Sequence, residues 1–141
     1  MQAQTQMAKG ELLLEVQGKI VTRTVKEITP HGVRLQSNLE GQATGKYNAS
    51  IINTMTMFLK TDGTNEWEAK AIHTTREGDF VVVSGRGTGR MAGPGTGMSQ
   101  GDVAFMTQSP KLSWLNNTKG WVESTSDMAA GTFQTKVYAK K

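Results

Sequence analysis

The chain has 141 residues, 16 of them glycine and none cysteine, with 36% hydrophobic residues and a formal net charge of +4. The length fits one domain, the lack of cysteine excludes a disulfide scaffold, an iron–sulfur site and a thiolate zinc site, and no apolar run approaches the roughly 20 residues of a membrane-spanning helix. Basic residues are scattered singly apart from Lys140-Lys141, so nothing in their placement points to nucleic acid, and the excess reads as a solvated surface.

Residues 1–9 are polar and lack the apolar stretch of a secretory signal. They are expected to be a flexible arm before a single domain over residues 10–141, in a soluble, cytoplasmic protein. Leu12 to Val16 and Ile20 to Ile28 are predicted strands with Gln17-Gly18-Lys19 between them. Thr29-Pro30-His31-Gly32 is a turn, because proline fixes φ at the corner and glycine tolerates positive φ; His31 is expected in solvent. Val33 to Ala43 then alternates, with Val33, Leu35 and Leu39 on a dry face and Arg34, Gln36 and Glu40 on a wet one.

Tyr47 to Leu59 repeats this pattern, placing Tyr47, Ile51, Asn53, Met55, Met57 and Leu59 together. Asp62-Gly63 suits a tight hairpin turn. On the return strand Trp67, Ala69, Ala71 and His73 alternate with Glu66, Glu68 and Lys70. Arg76-Glu77-Gly78-Asp79 turns the chain again, and Phe80 to Ser84 starts another strand. Beyond a Gly-rich stretch come predicted strands at Asp102–Gln108, Lys111–Leu115, Gly120–Ser126 and Thr132–Ala139. About eight or nine strands joined by tight turns imply an antiparallel meander. Closing it removes exposed edges, so the expected fold is a single all-β, eight-stranded antiparallel β-barrel. Such a barrel is either filled by side chains or able to hold one small ligand.

Polar residues on apolar faces supply the candidate site. His73 shares a face with Trp67 and Ala71, where it acts as a general base or bonds within the core. Tyr47 and Asn53 are polar handles beside Met55 and Met57, or a strand end and a satisfied core amide. Glu123, between Trp121 and Thr125, is either a buried carboxylate or an exposed one, since Val122 offers the opposite face as the dry one. The catalytic candidates are therefore His73, Tyr47 and Glu123; the ligand-binding candidates are Asn53, Met55, Met57, Trp67, Met106 and Trp121. The methionines suit an irregular apolar ligand, or ordinary core filling. With two histidines, His31 and His73, and no cysteine, no metal or cofactor is expected.

Seven of the 16 glycines fall between Gly85 and Gly101. A dinucleotide-binding reading of this segment needs a helix to follow, and Gly93-Pro94-Gly95 interrupts it. Alternate Gly85, Gly87 and Gly89 instead put an empty face on a strand, permitting sharp coiling or close approach. The string Gly87-Thr88-Gly89-Arg90-Met91-Ala92-Gly93 resembles a segment of the allene oxide cyclase and dirigent barrels, and is similar to small bacterial proteins of that barrel group. The likeness runs from about Gly10 to Tyr138 and departs from the group's pattern at Pro94–Gln100. It implies an eight-stranded, commonly oligomeric barrel whose cavity holds an apolar, often reactive molecule and steers cyclisation by positioning it. No catalytic constellation of those families maps onto this chain. The expected function is a barrel binding an apolar small molecule, with a cyclase or isomerase activity, a non-catalytic carrier, or an oligomerisation module as the readings. The expected partners are that ligand and further copies of the chain, a dimer or trimer, with neither nucleic acid nor membrane.

Overall fold

Side chains alternate inward and outward along eight β-strands in the computed structural model, which describes residues 9–141. The strands are β1 (Lys9–Thr29), β2 (Gly32–Gly45), β3 (Ala49–Lys60), β4 (Thr64–Thr75), β5 (Phe80–Gly93), β6 (Thr96–Thr107), β7 (Lys119–Asp127) and β8 (Thr132–Lys140). Each pairs antiparallel with the next, and β8 closes onto β1, giving the closed eight-stranded barrel that the meander predicts. Leu14 stands opposite Val137 across that closing seam. The expected arm lies outside the described residues except for Lys9, which begins β1. No helix among the described residues is long and apolar enough to cross a membrane.

Two sequence expectations fail in instructive ways. Gln17-Gly18-Lys19 does not separate two strands: β1 runs unbroken through it, with Gly18 opposite Gly41 on β2 and Phe133 on β8. Lys111–Leu115 is not a strand either, but part of a short 3-10 helix, Pro110–Asn117. Proline opens that helix, and Leu112 and Leu115 lie three apart, which stacks them on one side of a three-residue turn. Both are buried, and they cap one end of the barrel as part of the core cluster that also holds Leu13, Tyr47 and Phe105. Asn116 holds the cap in place: its Oδ1 accepts from the Thr107 N–H at 2.8 Å and its Nδ2 donates to the Thr107 carbonyl at 3.0 Å.

The Gly-rich stretch is regular structure. It forms the far arms of β5 and β6, joined through Pro94-Gly95, where Gly95 takes φ +73°. Gly87 stands opposite Gly101 on β5 and β6, just as Gly18 stands opposite Gly41 on β1 and β2. These two strand pairs are four places apart in a ring of eight, so the two glycine pairs face each other across the barrel. At each, bare Cα atoms replace a packed pair of side chains and the backbones approach closely; a Cβ on Gly87 would overlap the Gln100 carbonyl oxygen and sit 2.7 Å from the Gly101 Cα. Large inward side chains use the vacated space: Phe133 lies against Gly18, and Trp67 against Gly85.

Candidate functional site

The helix-capped half of the barrel is packed, and the other half is not. The unpacked half holds an interior cavity of about 240 Å³ whose wall is mostly apolar, including Ile51, Met55, Trp67, Ala71, Val83 and Phe105. His73 and Asn53 are polar members of that wall. They lie on neighbouring strands one diagonal step apart, because His73 pairs with Ile51 and Asn53 pairs with Ala71. Diagonal neighbours of an antiparallel pair are about 7–8 Å apart, within reach of one small ligand.

Tyr47 stands behind the histidine. It lies in the β2–β3 connection rather than on β3, and it is buried in the core cluster to which the cap's Leu112 and Leu115 also belong. Its Oη is 2.8 Å from His73 Nδ1, and the two rings are tilted at 54°. Burial depresses the His73 pKa to about 4 and pushes the Tyr47 hydroxyl upward, so both are neutral at pH 7. With Nδ1 engaged, Nε2 is the ring nitrogen left for a ligand. If Tyr47 donates to Nδ1, Nε2–H is a donor; in the other tautomer Nε2 is an acceptor. Asn53 adds a second polar point, since its Oδ1 is buried without a hydrogen-bond partner.

Met55, Met57 and Trp67 also line the cavity, and the Trp67 indole N–H donates to the Thr88 carbonyl at 3.2 Å. Three candidates lie elsewhere. Gly120 and Val122 take the inward positions of β7, which turns Trp121 and Glu123 outward. There Glu123 pairs with Lys9 at 3.3 Å and accepts from the Trp121 indole N–H at 3.2 Å, so it is not an interior carboxylate. Met106 is 62% exposed, because Phe105 and Thr107 take the inward positions around it. His31 is exposed at its turn, as expected.

Asn65 is an interior residue that the sequence reading passes over. The inward row Trp67, Ala69, Ala71 and His73, extended by one step of two residues, reaches it; the hairpin signal at Asp62-Gly63 makes it look like turn. Among the described residues no cluster of three His, Cys, Asp or Glu side chains could hold a metal ion.

No protein-family model and no curated protein sequence matches the chain. Solved structures match its fold. A protein of unknown function from Clostridium acetobutylicum superposes with a TM-score of 0.82 at 15% identity, over 93% of this chain and 95% of its own. A β-barrel-like protein from Acinetobacter baumannii gives 0.80 at 16% identity, over 93% and 94%. An enzyme from Penicillium herquei gives 0.70 at 18% identity, over 95% and 96%. At these identities the likeness is one of fold.

Proposed function

We propose that the barrel binds one small, largely apolar molecule and orients it by a polar group that meets His73 and Asn53. The observation carrying this reading is a neutral histidine, fixed from behind by Tyr47, in the wall of a mostly apolar cavity. Size supports it: a cavity of about 150 Å³ accepts benzene, so one of about 240 Å³ suits roughly ten non-hydrogen atoms. The depressed basicity of His73 favours one of its possible roles. A general base works best with a pKa near the working pH, and about 4 is far below it. His73 is therefore a hydrogen-bonding anchor rather than a proton-abstracting base. Conformation-directed chemistry, of the kind implied by the resemblance to allene oxide cyclase and dirigent barrels, requires only such anchoring. The enzyme among the fold neighbours is in keeping with it.

Two probes of matching size test this reading by calorimetry on the full chain. 1-Naphthol carries a hydroxyl, and 1-methylnaphthalene does not. The expected result is saturable one-to-one binding of both, with naphthol the tighter. The double variant His73→Leu/Tyr47→Phe removes both partners of the buried bond together, leaving neither unsatisfied. It is expected to weaken naphthol about tenfold, the worth of one hydrogen bond, and to leave methylnaphthalene unchanged. Absence of saturable binding, or equal affinities that the variant does not alter, contradicts the reading.

A further inference from the structure

We propose that the barrel associates head to tail with further copies of itself, through an apolar row on its outer wall. Outward positions of a barrel strand face solvent and are ordinarily polar. The row that breaks this pattern is Ile52 on β3, Ile72 on β4, Val82 on β5 and Met106 on β6, each directly opposite the next across the ladder. Phe80, the preceding outward residue of β5, adjoins the row and is exposed as well. The outward row beside it, Thr54, Lys70, Ser84 and Ala104, is small or polar. Single exposed apolar residues are ordinary, but an uncharged apolar strip with a small and polar border has the anatomy of a protein–protein interface.

Shape and charge both point to the same chain as the partner. Eight strands close the wall, so a row crossing four of them turns through roughly a quarter of a circle once the usual strand tilt is allowed for. One flat partner cannot seat on both ends of so curved a strip. Yet the ends are its most exposed members: Ile52 is 59% and Met106 62% exposed, against 40% for Ile72 and 39% for Val82. A two-fold dimer seated on the middle of the strip would leave both ends in water. Two partners cover it, when the Ile52–Ile72 half of one copy lies against the Val82–Met106 half of the next. Head-to-tail contacts of this kind close into a ring, here with the middle of the strip turned towards its centre. The charges beyond the two ends then meet at the outer rim of each contact. Beyond Ile52 stands Glu40, its partner on β2; on the Met106 side, opposite Ala104, stands Lys119 on β7. The two are opposite in sign and exposed, and neither is in an ion pair among the described residues, which leaves each free for the other across the contact.

Sedimentation velocity of the full chain over a wide range of concentration tests this. The expected species is a ring of three or more copies. Ile52→Lys and Met106→Lys each spoil one half of the contact at an outward, exposed position, so each variant alone is expected to be monomeric. Mixed in equal amounts, the two are expected to form a one-to-one pair, because the intact Val82–Met106 half of the first meets the intact Ile52–Ile72 half of the second. Glu40→Lys is expected to weaken assembly several-fold, and the double variant Glu40→Lys/Lys119→Glu to restore it. That charge exchange touches no apolar side chain and carries the test if a lysine variant does not fold. A wild-type chain that is monomeric at every concentration, a dimer, or a ring that both lysine variants leave intact overturns the proposal. Lysine variants that stay monomeric when mixed overturn the head-to-tail contact.

Discussion

Valine in place of Gly87 is expected to destabilise the barrel by about 3 kcal/mol or more, at or beyond the upper end of overpacking costs. Valine is normally a good strand residue. Here its Cβ would overlap a backbone carbonyl on the paired strand, and backbone cannot step aside as the end of a side chain can. Typical domains have about 5–15 kcal/mol of stability, so a loss of this size shifts a urea midpoint far and leaves a marginal barrel unfolded. Gly93→Val is the control on the same strand. A Cβ at Gly93 meets nothing within 4 Å, so that variant is expected to change stability by less than about 1 kcal/mol. Similar midpoints for the two variants would show that the Gly87–Gly101 crossing is not a steric requirement.

The glycine pattern marks how far the sequence could be read. Period-two alternation over β2, β3 and β4 gives the inward row of each strand correctly, and Asp62-Gly63 marks its hairpin. Gly85, Gly87 and Gly89 do form an empty inward face. Gly18 carries the same role, but one isolated glycine between two apolar runs looks like a turn; only its partner Gly41, 23 positions away, reveals a close approach inside a ladder. Glu123 is ambiguous in sequence because Trp121 and Val122 are both apolar. The packing of Val122 into the core settles its direction. The Tyr47–His73 contact joins residues 26 apart through a connection between strands, and no periodicity reports on it. Asn65 escapes because its significance lies in a missing partner, which exists only once the surroundings are folded.

The second large effect is on acid stability. The folded-state pKa of His73 is about 4 against 6.5 for the free side chain. Below pH 6.5 the unfolded chain takes up a proton that the folded protein refuses, so stability is complete above 6.5 and falls progressively towards pH 4. That drop corresponds to about 3 kcal/mol, a large share of ordinary domain stability. Tyr47 acts at the other end of the scale. Its hydroxyl pKa is raised by burial, so stability is lost as pH rises above 10, where the unfolded tyrosine ionises. Urea midpoints measured from pH 4 to pH 11 are expected to fall at both limits. The His73→Leu/Tyr47→Phe variant should flatten the profile between pH 6.5 and 4.5 and above pH 10. An unchanged profile would mean that the pair does not stay neutral in the fold.

The central claim is that a neutral, Tyr47-fixed His73 offers Nε2 to a ligand inside the barrel. It is tested most directly by following the ¹⁵N resonances of the His73 imidazole at pH 7 while 1-naphthol is added. The account predicts a neutral ring before addition, then a saturable shift of Nε2 that exceeds any change at Nδ1 and is absent with 1-methylnaphthalene. An imidazolium ring at pH 7, or an Nε2 resonance that does not respond to naphthol, would contradict it.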